Sequence, residues 1–376
     1  MSSVDNPSDG DRSQQVLTVP RAPRCLLVTG GAGFIGSAFV RTRLADPSCA
    51  ARIINLDLLT YAGNLENLAG FVDDAERAGR YAFVRGDVRD QGLIERLLEQ
   101  HGVDCVVHFA AESHVDRSIH GPRDFIETNV LGTFAILEAV RSRRAAGQQV
   151  HLHHVSTDEV FGSLGETGFF VETTAYDPRS PYSASKAASD HLVRAYAHTY
   201  GLPTTLSNCS NNYGPYQFPE KLIPLMIANC LEGKPLPVYG DGQNVRDWLY
   251  VDDHAEAVWL VVTRAAAGTS WNVGGRNEKK NLDLLHELIS VVARQAGKDP
   301  DALRALISFV KDRPGHDRRY AIDCGKIERL LGWTPRHDFT AGLDETVRWT
   351  LANRGWIDRV RSGAYREWID KNYATR

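Results

Sequence analysis

The chain has 376 residues, of which 24% are charged, and a formal net charge of −4 at pH 7. A chain of this length can bury at least one large hydrophobic core. The near-neutral charge gives no reason to expect a nucleic-acid partner, and no apolar run approaches the roughly 20 residues of a membrane span. We therefore expect a protein that binds neither nucleic acid nor membrane.

The N-terminal region and the cysteines bear on location. Residues 1–23 are polar and lack the apolar stretch of a secretory signal, so we interpret them as a disordered tail. The six cysteines are dispersed without CxxC spacing, as reduced buried thiols are, and a cytoplasmic location is expected. HLHH at 151–154 lies on a predicted strand without a further ligand at suitable spacing, so no metal site is predicted.

From Arg24 onward, short apolar strands alternate with helical periods, which is typical of an α/β fold with a parallel sheet covered on both faces. We predict a doubly wound parallel Rossmann sheet with a smaller C-terminal lobe over its carboxyl edge, where ligands of such sheets bind. The predicted strands cover residues 25–30, 52–57, 81–87, 105–111, 150–157 and 204–210. The predicted dinucleotide-binding domain spans 24–206 together with 245–275, and the lobe spans 207–244 and 276–376.

A glycine-rich segment, TGGAGFIGS at 29–37, follows a predicted strand and opens a helix. Its glycines match GxGxxG from Gly31 and GxxGxxG from Gly30, which lets backbone N–H groups approach a pyrophosphate at a helix N-terminus. Asp57 ends the second predicted strand, where a carboxylate accepts hydrogen bonds from ribose hydroxyls and repels the extra phosphate of NADP. The pattern predicts NAD as the cofactor.

Two further strand ends lie at the same edge of the predicted sheet. Asp87 and Val88 follow the third strand, and FAAES at 109–113 follows the fourth. We predict that they line the adenine and the nicotinamide ribose, with the small Ala110 and Ala111 allowing close approach. Asp87 by itself fits an ordinary strand-end cap equally well.

Tyr182 and Lys186 have YxxxK spacing, which places both side chains on one face of a helix. The ammonium, together with the positive nicotinamide ring, is expected to lower the pKa of the tyrosine from its usual value near 10. Tyr182 is then a candidate base. Upstream, Thr157-Asp158-Glu159 ends a predicted strand and adds a candidate acid/base pair, although adjacent acids at a loop start are often only solvated caps.

These motifs, with HFAAESHVDRS at 108–118, NNYGPYQFPEKLIP at 211–224 and DRPGHDRRYAID at 312–323, resemble the dTDP-glucose 4,6-dehydratases of the extended short-chain dehydrogenase/reductase family. The resemblance implies that Tyr182 takes the sugar C4 hydroxyl proton while hydride leaves for NAD, with Thr157 bonded to the same oxygen. Glu159 then removes the C5 proton, Asp158 protonates the departing C6 hydroxyl, and hydride returns to C6. It also implies a homodimer with contacts on helices 124–144 and 182–200.

The resemblance assigns residues to each ligand, and the catalytic set is Thr157, Asp158, Glu159, Tyr182 and Lys186. The predicted NAD-binding residues are Gly30, Gly33, Phe34, Ile35, Gly36, Asp57, Leu58, Thr60, Asp87, Val88, Ala110, Ala111, Ser113, Thr128, Tyr182, Lys186 and Asn212. The predicted dTDP-glucose-binding residues are Ser113, Thr157, Asn211, Lys221, Leu222, Pro237, Tyr239, Arg246, Asn281, Arg313 and His316.

Three functions stay open at this point. The first is the dehydratase; the second is a nucleotide-sugar epimerase or decarboxylase on the same scaffold, against which the acidic pair argues. The third is a non-catalytic NAD-binding module, which would be expected to have lost Tyr182 or Lys186. Two departures from the family pattern are Leu58, where lysine is common, and Phe161, where tyrosine is common.

Overall fold

The computed structural model describes residues 18–361, and its centre is a seven-stranded parallel sheet in the order β10-β6-β5-β4-β1-β2-β3. The strands of this sheet are β1 (Cys25–Thr29), β2 (Arg52–Asp57), β3 (Tyr81–Arg85), β4 (Cys105–His108), β5 (His151–Thr157), β6 (Thr204–Cys209) and β10 (Thr269–Val273). The order reverses between β1 and β4, so the doubly wound α/β sheet predicted from the sequence is confirmed.

Helices cover both faces of the sheet and build the smaller lobe. They are α1 (Phe34–Ala45), α2 (Asp73–Arg77), α3 (Gln91–Gln100), α4 (Val115–His120), α5 (Pro122–Phe125), α6 (Gly132–Ala145), α7 (Pro181–Tyr200), α8 (Leu222–Glu232), α9 (Val251–Arg264), α10 (Asn281–Ala296), α11 (Pro300–Arg304), α12 (Gly325–Leu331), α13 (Phe339–Ala352) and α14 (Arg354–Val360). A π-helical segment, Ile126–Leu131, joins α5 to α6, and short 3₁₀ turns cover Leu65–Leu68 and Asp158–Phe161.

Alternate residues of each strand supply the cores on the two faces. Leu27 of β1 packs with α3, α6 and α7 on one face, whereas Leu26 and Val28 pack with α1 and α9 on the other. All three side chains have no exposed surface. Because both faces of a parallel sheet are buried, its strands are nearly continuous apolar runs rather than alternating ones.

The third and fourth main-sheet strands end earlier than predicted, at Arg85 and His108. The predicted strands ran to residues 87 and 111. The chain leaves the sheet at these points, and the following residues line the cavity described below. Apolar composition alone does not show where these strands end, because the buried loop residues that follow them at a ligand site are also small and apolar.

The remaining strands form two small sheets next to the carboxyl edge. β7 (Asn211–Tyr213), β9 (Val245–Tyr250) and β11 (Glu278–Lys280) make one, and β8 (Leu236–Tyr239) and β12 (Ile307–Val310) make the other. Of the segment 245–275 that was predicted to join the first domain, α9 and β10 pack in or on the main sheet, whereas β9 belongs to a small sheet.

The predicted disordered tail differs from the structure over its last residues. The backbone N–H groups of Val19 and Arg21 donate to carbonyls at the end of α9, and the Arg21 guanidinium donates to the carbonyls of Val262 (2.9 Å) and Val261 (3.2 Å). The last carbonyls of a helix lack N–H partners within the helix, and Val19 and Arg21 supply such partners at the end of α9. Residues 1–17 of the predicted tail lie outside the described residues.

The described helices include none that is long and apolar enough to cross a membrane. All six cysteines are buried and unpaired.

Candidate active site

A cavity of about 430 Å³ opens at the carboxyl edge of the main sheet, between the sheet and the smaller lobe. It is lined by every predicted NAD-binding residue and every predicted substrate-binding residue. Four of the five proposed catalytic residues also line it, and Asp158 lies behind them with 1% of its surface exposed. Residues distant in sequence are thus brought to one site.

The glycine-rich turn after β1 has the close packing that a pyrophosphate cradle requires. Gly30 has a φ of +73°, and a Cβ there would lie 2.6 Å from the backbone nitrogen of Ala110. A Cβ at Gly36 would overlap the carbonyl of Gly30. The turn therefore leaves the N-terminus of α1 open to an anionic ligand, and these residues fit a dinucleotide.

Asp57 is fixed at the end of β2. One carboxylate oxygen accepts from the backbone N–H of Ala32 (2.9 Å) and the other from that of Leu59 (2.8 Å). Burial raises the pKa of Asp57, and these two hydrogen bonds oppose the rise. Because each oxygen has a second lone pair, the carboxylate can also accept hydrogen bonds from ribose hydroxyls.

Helix α7 positions Tyr182 and Lys186. Ser180 caps its first turn in a reciprocal pair with Ser183, and Pro181 takes the first helical position. The Lys186 ammonium donates to the carbonyl of Val155 (2.8 Å) on β5, and its side chain is buried. Burial lowers the pKa of Lys186 to about 8.

The expected lowering of the Tyr182 pKa is not produced by the protein's own groups. Burial raises the pKa of Tyr182 well above its usual value, the carboxylate of Glu159 adds to the rise, and a hydrogen bond with Thr157 opposes it. The tyrosine is a neutral hydroxyl in this surrounding, and its ionisation requires further positive charge next to the ring.

The acidic pair lies on a 3₁₀ turn directly after β5. The Thr157 hydroxyl accepts from the backbone N–H of Glu159 (3.3 Å) and donates to Oδ1 of Asp158 (3.3 Å), while Oδ2 of Asp158 is buried without a hydrogen-bond partner. Asp158 and Glu159 are adjacent in sequence, but only Glu159 lines the cavity.

The two carboxyl groups differ in their electrostatic surroundings. Burial raises the pKa of Asp158 well above its usual value, and the charge of Glu159 raises it further. Burial also raises the pKa of Glu159, but Arg313, Arg246 and Lys221 oppose that rise. Asp158 accordingly holds its proton to higher pH than Glu159, which is the order needed for an acid and a base at one site.

Cationic side chains line the lobe side of the cavity. Lys221 donates to the carbonyl of Ser113 (2.9 Å), and Arg246 donates to the carbonyls of Val245 (2.7 Å) and Asp317 (2.9 Å). Arg246 is 4% exposed, and its guanidinium lies 4.1 Å from the ring centre of Tyr320. A buried arginine with its planar fork held in place suits phosphate oxygens.

His316 contributes a neutral polar group beside these cations. Its Nδ1 lies 2.6 Å from a carboxylate oxygen of Asp312, yet burial and the charges of Arg313 and Arg246 lower the pKa of His316 to about 4. Tyr239 donates to Asp116 (3.1 Å) at the same end of the cavity.

Several residues of the site were not predicted from the sequence. Asn129, in the π-helical segment, donates to the Ser185 hydroxyl (2.8 Å) and exchanges hydrogen bonds with the backbone of Glu112. Glu220, 5% exposed, accepts from Tyr61 (2.9 Å) and Arg117 (3.0 Å). The π-helical segment is a local irregularity of the kind found at functional sites, but composition does not reveal it.

The two departures from the family pattern lie in different places. Leu58 lines the cavity next to Asp57 and is 39% exposed, whereas Phe161 is buried and stacks on Phe170 with ring centres 5.2 Å apart. The histidines at 151–154 are buried on β5, and no group of three potential metal ligands occurs within residues 18–361.

Comparison with known proteins gives the family. Residues 27–346 match the family model described as GDP-mannose 4,6 dehydratase. A dTDP-glucose 4,6-dehydratase of Salmonella typhimurium is 53% identical over 365 residues, covering 93% of this chain and 99% of the relative.

Two solved structures represent the near and the more distant relatives. DesIV, a dTDP-glucose 4,6-dehydratase of Streptomyces venezuelae crystallised with NAD and TYD, has a TM-score of 0.81 and 49% identity over 89% of this chain and 99% of its own. The Thermus thermophilus UDP-glucose 4-epimerase, in complex with NAD, has a TM-score of 0.76 and 32% identity over 88% and 99%. With the site residues in one cavity and this degree of similarity, the chain belongs to the dTDP-glucose 4,6-dehydratases of the extended short-chain dehydrogenase/reductase family.

Proposed function

We propose that this protein converts dTDP-glucose to dTDP-4-keto-6-deoxyglucose and water, with NAD as a resident cofactor. The observation that carries the proposal is the placement of Glu159 beside Tyr182 in a cavity that fits a dinucleotide, with the second acid, Asp158, buried directly behind them. An epimerase on the same scaffold needs the tyrosine but has no use for an acid and a base one residue apart.

The cofactor would be held by the turn Gly30–Gly36, by Asp57 at the adenosine ribose and by Lys186 at the nicotinamide ribose. Bound NAD supplies an acceptor and later a donor of hydride, and in its oxidised form a positive charge beside Tyr182. That charge is what the buried tyrosine hydroxyl requires for ionisation.

The first step is proton removal from the sugar C4 hydroxyl. Tyr182 accepts this proton, and Thr157 donates a hydrogen bond to the C4 oxygen as it becomes a carbonyl. Thr157 and Tyr182 interact in the structure, so both hydroxyls lie on one side of the cavity, and the single Thr157 proton, which Oδ1 of Asp158 accepts in the structure, would turn to the C4 oxygen when the sugar binds. Lys186 supports the tyrosinate by its positive charge.

The second step is the elimination of water. The C4 ketone acidifies the C5 hydrogen, Glu159 removes this proton as the ionised base, and Asp158 gives its proton to the departing C6 hydroxyl. Atoms balance because the two carboxyl groups exchange roles, one gaining a proton and one losing it. Glu159 then returns its proton to C5, and the proton that Tyr182 took from the C4 hydroxyl passes back to Asp158, so each group regains its initial protonation state.

The nucleotide diphosphate would lie on Lys221, Arg246 and Arg313. These cations also oppose the rise in the pKa of Glu159, so substrate phosphates that bind to them weaken that effect and strengthen the base. We further propose that the protein acts in the cytoplasm, because its cysteines are all buried and unpaired.

The test offers dTDP-glucose, UDP-glucose and GDP-mannose separately to the purified protein without added NAD. We expect a 4-keto-6-deoxy product from dTDP-glucose, detected by its absorbance in strong alkali and by mass spectrometry, with no accumulation of free NADH. A C4 epimer without a ketone would contradict the proposal, and so would turnover that requires stoichiometric NAD.

A further inference from the structure

A buried acidic residue that has no part in the proposed mechanism lies behind Lys186. Asp190 is on α7, four residues after Lys186 and eight after Tyr182, so the three side chains follow one face of the helix. Its side chain has no exposed surface. A buried carboxylate is costly unless it is paired and hydrogen-bonded, so its position calls for a function.

The Asp190 carboxylate is held by neutral donors. One oxygen accepts from the hydroxyls of Ser156 (2.9 Å) and Tyr176 (2.8 Å) and from the Asn208 amide (3.3 Å). The other lies 3.3 Å from Nε2 of His154. These contacts lower the pKa of Asp190 despite its burial, so the group is a carboxylate.

His154 connects this carboxylate to Lys186. Its Nε2 lies 3.3 Å from Asp190 and 3.5 Å from the Lys186 ammonium, and the imidazole is completely buried. Burial and the neighbouring ammonium lower the pKa of His154 to about 4, so the ring is neutral between two opposite charges. The negative charge of Asp190 opposes the fall in the pKa of Lys186 that burial causes.

The other ionisable groups around this pair come from each element packed against it. His108 of β4 has its ring centre 5.2 Å from that of His154, Cys209 lies on β6, Tyr176 precedes α7, and Arg194 donates to the Tyr176 hydroxyl (2.8 Å). Burial keeps His108, Cys209 and Tyr176 neutral, since it lowers the pKa of the first well below its usual value and raises those of the other two. Among these groups Asp190 is thus the negative charge close to Lys186, on which it acts electrostatically across the His154 ring.

We propose that Asp190 is a positioning residue for the reaction: through His154 it supplies the buried negative charge that keeps Lys186 protonated and directed at the cofactor and Tyr182. This inference rests on the proposed function of Lys186 and Tyr182. Asp190 does not line the cavity, so it acts on the site through its neighbours.

The test compares Asp190→Asn, which removes the charge, with Asp190→Glu, which keeps it, and with Tyr176→Phe, which removes one donor to the carboxylate. In Asp190→Asn, we expect the alkaline limb of the plot of kcat/KM against pH to move to lower pH by about one unit or more, because Lys186 loses its proton more easily. Turnover above pH 8 should fall roughly tenfold. Asp190→Glu should recover most of the shift, and Tyr176→Phe should keep the wild-type limb.

The retained NAD of each purified variant is measured in parallel by absorbance after denaturation. We expect Asp190→Asn to lose NAD on dialysis at pH 9 and to retain it at pH 6, because a neutral Lys186 no longer holds the ribose hydroxyls. A uniform loss of activity at every pH, with an unmoved limb, would overturn the inference and leave Asp190 a purely structural residue.

Two controls keep the outcomes distinct. If Asp190→Asn does not fold, His154→Leu removes the imidazole between the charges and should move the limb in the same direction, and an unmoved limb there overturns the inference. Failure of the wild-type protein to act on dTDP-glucose contradicts the proposed function. If the wild-type protein turns over and the alkaline limb of the variant's pH profile does not move, only the inference about Asp190 is contradicted.

Discussion

Asp158 and Glu159 are neighbours in sequence, yet their side chains have different surroundings. Asp158 is buried behind the cavity with one oxygen lacking a hydrogen-bond partner, whereas three cations face Glu159. The difference arises from the 3₁₀ turn, which directs successive side chains to different sides of the strand end. This one turn is therefore enough to give two adjacent carboxyl groups different proton affinities.

The first prediction separates the two acids. Asp158→Asn should keep C5 proton exchange with solvent but slow water loss by about 10²-fold or more, because an amide cannot protonate the leaving hydroxyl. Glu159→Gln should impair C5 exchange itself. Both are measured by deuterium incorporation and product formation.

A substrate analogue gives a second test of the roles of Asp158 and Glu159. Replacing the C6 hydroxyl by fluorine gives a leaving group that departs without a proton, so the analogue should restore elimination in Asp158→Asn and leave Glu159→Gln slow. Equal recovery in both variants, or in neither, would contradict the separate roles.

At the scale of helices and strands, α14 connects the smaller lobe to the cofactor region. The Trp356 indole donates to the Asn67 side chain (3.1 Å), and that side chain donates to the carbonyl of Ala32 (2.9 Å) in the glycine-rich turn. Arg359 also pairs with Glu66 at 2.6 Å. The helix thus fastens the 3₁₀ turn that borders the predicted NAD site.

The second prediction concerns this helix. Trp356→Phe keeps the aromatic packing but leaves the Asn67 oxygen without its donor, and NAD should dissociate roughly two- to tenfold faster, the value of one net hydrogen bond. Release is followed by transfer of NAD to an excess of a dehydrogenase that binds it. Trp349→Phe, which alters a ring tilted against that of Tyr216 without removing a bond to Asn67, should release NAD at the wild-type rate.

The sequence predicted the main sheet well because its strands are buried on both faces and read as unbroken apolar runs. It did not predict β10, the edge strand of the main sheet, or the strands of the two small sheets, β7, β8, β9, β11 and β12, which have three to six residues each and pair with distant segments. Such short strands carry no periodicity that distinguishes them from loops.

The same limit applies to the site. Tyr182, Lys186 and the acidic pair could be predicted from sequence motifs, because the residues of each motif lie close together along the chain. Asp190 was overlooked, although it stands one further helical turn along the same face, because an acidic residue on a predicted helix is usually solvated. Asn129 depends on the π-helical segment, and its contacts to Glu112 and Ser185 are non-local.

The whole molecule presents an apolar patch on the helices that were predicted to form a subunit contact. Its members are Ile126, Leu131, Phe134 and Tyr200, which are 42–50% exposed. They lie on the π-helical segment, on α6 and at the end of α7. Grouped exposed apolar side chains of this kind mark interaction sites, and a self-complementary patch gives a twofold dimer.

The third prediction tests this surface. Phe134→Arg should convert a dimer to a monomer, because a charge buried in an apolar interface is left unpaired. Light scattering after size-exclusion chromatography gives the mass directly. Phe309→Arg, at a residue 59% exposed on β12, is the matched control and should leave the mass unchanged. A wild-type protein that is already monomeric would contradict the prediction.

The groups proposed to oxidise the sugar and those proposed to eliminate water come from two separate stretches of chain. Tyr182 and Lys186 lie on α7, whereas Asp158 and Glu159 lie on the turn after β5. The turn packs against the helix through Val160 and Phe161, which share a core with Ala187, whereas Asp158 and Glu159 are not members of that core. Natural selection can therefore alter the fate of an oxidised sugar without rebuilding the apparatus that oxidises it. A duplicated gene could diverge toward reversible oxidation alone by changes at Asp158 and Glu159, while Tyr182 and Lys186 on α7 are retained.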